Sequence, residues 1–511
     1  MKANLSRRFG AASAHAVLLV LWACADPFSF DTTAQNVAQL QGGEEPEEEE
    51  ICASSEEWLP NTPPLDLFLP LPHPATECPF YRGSWQNFLV ATQPDAEGRP
   101  DFLSWPNIDS VFSSSKPKGP RRAQLGDIRQ AGGRQVLIDQ NDRSLYYGIH
   151  FNGAYARFVF DNGLQTVDGI KSVDPRLFFP AGVVELKSAW QDISGLPAAD
   201  YENYITTTAL VPRLSQGADG SIVENKDDPR EIPVALLALH VVYTLPGHPE
   251  FIWGSFEHST ESPDISAADG KRDVAPTFFD RNPADSDPDN LNVSQVVSRG
   301  SSKLYRGGTP ANRANQAFAE AELRLDEATQ SFPGQQTSIY RMFPASKSHS
   351  IDPDAALSSL NFNVGQLFEA KKSVLSSVDK RRFYRQIGSV WMDKPAFFTN
   401  NSPLANDLSS PLVARGGDRT RQQEALADLR ENGGDSDFSI LAGEDRLSST
   451  AMESFTQGPT SFPNCFSCHN TQAVTSRGIP ANRDTSSPVL LEAKRINVSH
   501  VFSQFVLEES E

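Results

Sequence analysis

The chain has 511 residues and a formal net charge of −20, because 65 acidic side chains outnumber 45 basic ones. This excess of negative charge repels phosphate backbones and anionic lipid surfaces, so it excludes nucleic-acid binding and electrostatic association with membranes. Hydrophobic residues make up 39% and charged residues 22% of the sequence, which is typical of a globular protein with a sizeable core.

Residues 1–25 have the pattern of an export signal peptide. Three basic residues precede a short apolar stretch at 16–23, which is too short to span a bilayer. Small residues around Cys24 then supply a cleavage site; in the alternative interpretation, Cys24 carries a lipid anchor and the protein is a lipoprotein. We therefore expect an exported protein of the periplasm or cell envelope.

A polar and then strongly acidic stretch follows at 26–50. It has no periodicity and few apolar residues, so it predicts a disordered linker.

Cysteine usage fits an oxidising compartment. Of the five cysteines, Cys24 belongs to the export segment and two others form a C-terminal motif described below. The remaining pair, Cys52 and Cys78, predicts one disulfide, with two buried thiols as the alternative.

The body of the chain, at 51–440, is predicted to be rich in β-strands. Apolar residues from Tyr81 to Leu89 have helical spacing, whereas strand-like patterns dominate from about 134 to 260. Asn152-Gly153 has the composition of a two-residue hairpin turn. Later stretches with helical character lie at 311–325, 355–373, 447–457 and, in part, 490–507. We expect an α+β fold with an antiparallel sandwich or barrel-like body and a helical C-terminal segment at 441–511.

The C-terminal segment contains Cys465-Phe466-Ser467-Cys468-His469. Two cysteines separated by two residues and followed by histidine form the attachment motif of c-type haem, in which the histidine ligates the iron. A zinc half-site would need a second ligand pair, and the chain has no other CxxC or CxxH. A thiol redox pair would be expected in a βαβ setting, which is not visible in this sequence. The sequence thus predicts one haem c, held covalently by Cys465 and Cys468, with His469 as proximal ligand and 441–511 as the haem c-binding segment.

The distal haem ligand has two candidates. The segment 470–511 contains no methionine, so the usual cytochrome c module, with its methionine some tens of residues after the motif, is not appended here. Met452, before the motif, and His500, after it, are the candidate ligands, and ordinary packing is the alternative for both. Methionine would raise the reduction potential relative to histidine.

Three histidines lie on or beside one predicted hairpin. His240 and His258 could approach each other across the strands, and a metal site with Glu250 or Glu257 is one interpretation. The alternative is that these histidines and His248 are structural or line a pocket.

Glu185 and Lys187 lie on one face of a predicted strand that also carries Trp190. They could form an ion pair across a pocket or belong to a solvated face.

Several phrases of the chain, spread over about 78–470, together resemble a group of uncharacterised bacterial exported proteins of the cytochrome c family. They are Phe80-Tyr81, Trp85-Gln86-Asn87-Phe88-Leu89, Glu185-Leu186-Lys187-Ser188-Ala189-Trp190, Gly247-His248-Pro249-Glu250-Phe251-Ile252-Trp253, Phe256-Glu257-His258, Ala451-Met452-Glu453-Ser454-Phe455 and the haem motif. The resemblance implies a haem c protein of the cell envelope and favours Met452 over His500, but it implies no particular substrate.

The expected function is electron transfer by an exported mono-haem c-type cytochrome with a redox partner protein. One alternative is a haem-dependent oxidoreductase with a small-molecule substrate pocket in the β-rich body. A second alternative is a non-redox envelope binding protein in which the haem is structural.

Overall fold

An eight-stranded sheet forms the centre of the protein in a computed structural model. The structure describes residues 52–60, 77–112, 123–130, 135–263, 302–306, 309, 314–316, 318–342, 353–392, 441–444, 447–457, 465–481 and 484–510. The predictions for the signal peptide, for Cys24 and for the acidic linker lie outside these residues.

Twelve strands and seven α-helices are described. The strands are β1 (Ala123–Gln124), β2 (Gln135–Val136), β3 (Leu145–Phe151), β4 (Val184–Asp192), β5 (Thr206–Gln216), β6 (Ile222–Leu245), β7 (His248–His258), β8 (Phe318–Ala319), β9 (Tyr384–Met392), β10 (Leu441–Gly443), β11 (Val474–Thr475) and β12 (Val489–Leu491). The helices are α1 (Cys78–Ala91), α2 (Ile108–Val111), α3 (Gly153–Asp161), α4 (Val167–Ser172), α5 (Pro353–Lys371), α6 (Cys465–Cys468) and α7 (Val501–Glu508).

The 24-residue strand β6 organises the main sheet. Its first half pairs with β5 and its second half with β4 and β7, all antiparallel. Strand β3 continues the sheet beyond β4, and β9 and β10 continue it beyond β7, whereas β1 pairs with β5 in parallel. The prediction of an α+β fold rich in antiparallel strands is confirmed.

The predicted sandwich or barrel does not form in the described part of the chain. The other two sheets there, β2–β8 and β11–β12, have two strands each, so neither forms the second layer of a sandwich. The main sheet curls until Asp127 bridges Tyr147 on β3, but this is an isolated bridge rather than a ladder of strand pairs. The sheet therefore stays open.

Helix α1 covers one face of the sheet. As the spacing of its apolar residues predicted, it points a row of aromatic side chains inward. Phe80 stacks on Trp391 of β9 with ring centres 4.2 Å apart, and Phe88 stacks on Phe256 of β7 at 4.3 Å. The helix predicted at 355–373 is present as α5 and packs against α1.

The opposite face, which we call the C-terminal face, is covered mainly by the C-terminal segment together with α3 and α4. Its core contains Phe151 and Trp253 from the sheet, Tyr155 from α3, and Phe466 and Phe502 from the C-terminal segment. Residues 441–511 thus complete the core of the sheet, and the described chain from residue 52 onward belongs to one compact unit.

The hairpin predicted at Asn152-Gly153 is wrong. Asn152 is the N-cap of α3, and its side-chain oxygen accepts a hydrogen bond from the Tyr155 N–H at 2.9 Å. The aromatic and β-branched residues that follow predict a strand. They form a helix instead, and Tyr155, Phe158 and Val159 are its buried side. An asparagine that caps a helix and one that forms a turn are indistinguishable from the dipeptide alone.

Two further predicted helices are wrong. In the described part of 311–325, the chain forms β8 and one 3₁₀ turn, Glu320–Glu322. Residues 447–457 contain only the 3₁₀ turn Ser454–Thr456. There, the Glu453 carboxylate accepts from the Ser449 N–H at 2.9 Å, an example of side-chain hydrogen bonding that competes with helix formation.

The helical C-terminal segment is also mostly irregular, with α6 and α7 as its described α-helices. Among the described helices, none combines the length and the apolar character needed to cross a bilayer.

Candidate haem site

The C-terminal face presents a row of polar side chains where the haem motif packs. Lys187 of β4 lies opposite His240 of β6, and His240 lies opposite Ser255 of β7. Two residues further along the strands, Glu185 of β4 and Trp253 of β7 both pair with the same residue of β6, one from each side. Since residues directly opposite in antiparallel strands share a face, all of these side chains point toward the C-terminal segment.

Helix α6 places the two motif cysteines one turn apart. Cys465 and Cys468 are both thiols and partly exposed, while Phe466 between them is fully buried against Trp253. The His469 N–H donates to the Cys465 carbonyl at 2.7 Å, which continues the turn and fixes the histidine beside the cysteines.

His469 is held in one ring orientation. Its Nδ1 lies 3.0 Å from the Val498 carbonyl oxygen, so Nδ1 carries the hydrogen and donates it. The ring packs between Trp253, at 4.1 Å between ring centres, and His500, at 3.9 Å. Burial lowers the pKa of His469 well below its usual value, which favours neutral imidazole. In this tautomer Nε2 keeps its lone pair, as an iron ligand requires.

These donors fit a c-type haem. Two thiols on one helical turn can form the two thioether bonds, and the adjoining imidazole has its Nδ1 bonded to the backbone and its Nε2 without a hydrogen bond to any described residue. Burial raises the pKa of the Cys465 thiol well above its usual value, and the Glu453 charge acts in the same direction. Among the described residues, no group of three or more His, Cys, Asp or Glu side chains is arranged to hold a metal ion, which gives no support to a zinc site.

The two candidate distal ligands occupy different surroundings. His500 lies beside His469, with its Nε2 3.0 Å from the Cys468 carbonyl oxygen. Met452 is fully buried in an apolar cluster with Tyr147 and Ala189, separate from the core that contains Phe466. Ligation by Met452 would require its side chain to leave that cluster.

Glu453 connects the motif to the sheet. Its carboxylate lies 2.6 Å from Nε2 of His240. Burial by itself raises the pKa of Glu453, but the charge and hydrogen bond of His240, the Ser449 N–H and the Lys187 charge together hold this pKa below its usual value. The chain therefore keeps a negative charge near the cysteines.

Glu185 and Lys187 do not form a solvated face. Glu185 is only 8% exposed, and its Oε2 accepts a hydrogen bond from Ser499 Oγ at 2.7 Å. Burial raises the pKa of Glu185 to about 7. Lys187 is half-buried, and its ammonium lies 5.3 Å from the centre of the Tyr147 ring. Trp190 lies on the opposite face of β4 from Glu185 and Lys187 and belongs to the core on the α1 side.

The histidines at the predicted hairpin do not meet. His240 contacts Glu453, His248 lies 2.8 Å from Glu250, and His258 stacks on Tyr204 at 3.5 Å between ring centres. Each histidine therefore has its own structural contact, and the structure does not bring His240 and His258 together as a metal site would require.

A cleft of about 530 Å³ is lined by residues of the sheet and of α7. Its wall includes Tyr147 and Lys187 from the C-terminal face, and Gln504 and Glu508 of α7, the helix that starts directly after His500. Lys187 adds to the low pKa of His469, although less than burial and His500 do, so the cleft lies within electrostatic reach of the motif.

The remaining cysteine pair is close enough to be bonded. Cys52 and Cys78 form a disulfide with Cα atoms 5.5 Å apart, the pairing that cysteine arithmetic predicted. It ties the N-terminal end of the described chain to the first residue of α1.

Comparison of the chain with protein-family models, with curated proteins and with solved structures finds no match. The interpretation of this site therefore rests on its own residues.

Several residues around the motif have no role predicted from the sequence. Val498 and Ser499 immediately precede His500, but only the histidine was considered. Trp253 and Glu453 were noted in phrases and received no role. The alternation of side chains along β7 could have identified Trp253, which lies on the same face as Phe251 and Ser255. Nothing in the local sequence marks Val498 or Glu453.

Proposed function

We propose that this chain is an exported mono-haem c-type cytochrome that takes part in electron transfer. The observation that carries the proposal is the His469 geometry. The imidazole directly follows two thiols on one helical turn, and its Nδ1 is bonded to the Val498 carbonyl, leaving Nε2 for iron. Haem c supplies a reversible one-electron change at its iron.

The protein residues hold and shield the cofactor. Cys465 and Cys468 are the attachment points, and Trp253 and Phe466 exclude water on the side of the sheet. Because both cysteines are partly exposed, the attachment points lie at the surface, which suits exchange of electrons with a redox partner protein.

The decisive experiment compares two cysteine pairs in cells that attach haem c. Replacing Cys465 and Cys468 by alanine should abolish covalent haem staining on a denaturing gel, because no thioether can form. The matched control replaces Cys52 and Cys78 by alanine and should retain the stain. Haem staining that survives in the first variant would overturn the proposal. A stained protein that redox mediators cannot reversibly reduce would instead support a structural haem.

The second candidate is a haem-dependent oxidoreductase, and the 530 Å³ cleft favours it. This volume lies in the range of small-molecule sites. Helix α7 both lines the cleft and begins at His500, so a ligand in the cleft would contact an element that holds His469. Rapid binding of carbon monoxide or peroxide to the isolated protein would favour this candidate, whereas a haem inert to both favours electron transfer.

A further inference from the structure

Three consecutive residues of the C-terminal segment clamp the haem motif. Val498 accepts the hydrogen bond from His469 Nδ1, and the His500 ring stacks on the His469 ring. His500 also reaches the Cys468 carbonyl through its Nε2. The position of this tripeptide therefore determines the orientation of the proximal imidazole.

The middle residue of the clamp, Ser499, is anchored to the sheet. Its Oγ donates to Glu185 Oε2 at 2.7 Å and lies 2.9 Å from the Tyr155 hydroxyl. Because a serine hydroxyl has one hydrogen, Tyr155 donates to Ser499 and Ser499 donates to Glu185. Ser499 is 1% exposed and Tyr155 is fully buried, so water does not compete for these bonds.

We propose that Glu185 is a positioning residue that tunes the reduction potential of the haem by anchoring Ser499, and with it the clamp on His469. The proposal rests on the proposed function, since it requires haem to be attached. Its geometric basis is that Glu185 holds Ser499 by a hydrogen bond. Ser499 is joined along the chain to Val498, whose carbonyl contacts His469, and to His500, whose ring stacks on it. A hydrogen bond to the Nδ1 side of a ligating imidazole raises the basicity of the ligand and fixes its plane.

The charge of Glu185 acts on the same potential. Burial raises its pKa to about 7, while the Ser499 hydrogen bond and the Lys187 charge oppose that rise. The titratable groups that interact with it are Lys187 on its own strand and Tyr155 on α3. An ionised Glu185 stabilises the more positive, oxidised iron. The potential should therefore fall as the pH rises through about 7.

The test measures the reduction potential of purified holoprotein against pH by mediator titration. Glu185→Gln keeps the shape and an oxygen that can accept from Ser499, but removes the charge. We expect this variant to keep its covalent haem, to have a higher potential above pH 7, and to lose the pH dependence near 7. Tyr155→Phe is the matched control: it removes a neighbouring hydroxyl and keeps the charge, so the pH dependence should persist.

A second pair of variants tests the anchor itself. Ser499→Ala removes the hydroxyl and should shift both the potential and the haem absorption spectrum, whereas Ser499→Thr restores a hydroxyl and should return both toward the parent values. Holoprotein in which Glu185→Gln and Ser499→Ala leave the potential unchanged would overturn this inference. Lack of covalent haem in the parent protein would instead overturn the proposed function, so the two failures are distinguishable.

Discussion

The imidazole rings of His469 and His500 lie stacked, with centres 3.9 Å apart and planes inclined by 19°. Two histidines that ligate one iron approach it from opposite sides, with both Nε2 atoms pointing at the metal. Stacked rings lie side by side instead, and the His500 Nε2 is already 3.0 Å from the Cys468 carbonyl oxygen. In this arrangement His500 packs against the imidazole of His469, the residue that we propose as the proximal ligand.

We therefore predict that His500→Phe retains the coordination state of the haem. Phenylalanine preserves a ring that can stack on His469 but has no nitrogen to ligate iron. The absorption spectrum of the oxidised holoprotein should keep the coordination signature of the parent, with a modest shift in potential from the lost Cys468 contact. Conversion to a five-coordinate, high-spin spectrum would identify His500 as the distal ligand.

Met452→Leu tests the other distal candidate. The substitution nearly conserves volume in a fully buried site, so it should cost less than about 1.5 kcal/mol of stability. Because the Met452 side chain is buried in the cluster with Tyr147 and Ala189, we predict that this variant keeps the absorption spectrum and the carbon monoxide binding of the parent holoprotein. Met342→Leu, another buried methionine, is the control. Loss of a methionine-to-iron absorption band in Met452→Leu, but not in Met342→Leu, would identify Met452 as the distal ligand.

The disulfide is predicted to stabilise the fold without contributing to haem attachment. Cys52 and Cys78 are 26 residues apart, and the loop-entropy relation gives about 3.5 kcal/mol for closing a loop of that length. Replacing both by alanine should lower the free energy of unfolding in urea by about this amount. A reducing agent should have the same effect on the parent protein and leave thioether-bound haem in place. A change below about 0.5 kcal/mol would show that the disulfide does not constrain the unfolded chain.

Glu261 predicts a pH dependence of stability. It is fully buried and accepts a hydrogen bond from Thr450 at 2.7 Å, and burial raises its pKa from 4.5 to about 8. Between these values the folded protein binds more protons than the unfolded chain. The free energy of unfolding should therefore fall with rising pH, by up to about 1.4 kcal/mol per pH unit for this group.

Urea unfolding at several pH values from about 5 to 8 measures this slope. Glu261→Gln should make the slope less steep, since glutamine does not titrate, but the raised pKa of Glu185 should preserve part of it. The exposed Glu202→Gln should leave the slope unchanged. An equal slope in the parent and in Glu261→Gln would mean that Glu261 is ionised throughout the range.

Local sequence was sufficient for features that a few neighbouring residues determine. The spacing of Tyr81, Trp85 and Phe88 predicted α1, and alternation along β4 to β7 predicted the antiparallel sheet. Cysteine arithmetic predicted the Cys52–Cys78 pair. In each case the signal is a periodicity or a count that does not depend on distant parts of the chain.

The environment of the motif could not be predicted because distant residues supply it. Ser499 and Glu185 are 314 positions apart, and His469 and Val498 are 29 apart. No repeat or spacing in the sequence records such contacts. The same limitation explains the wrong helix at 447–457, where Thr450 bonds the carboxylate of the distant Glu257 in place of local helical partners.

The burial of Phe466 has a consequence for the order of biosynthesis. Because the Phe466 ring between the two partly exposed cysteines is fully buried in the core of the C-terminal face, Cys465 and Cys468 dock together with that ring and with any haem attached to them. On the proposed function, haem is then added to a chain whose C-terminal face is still bare. Docking of the C-terminal segment, which buries Phe151, Trp253 and Phe502, would then follow the formation of the thioether bonds.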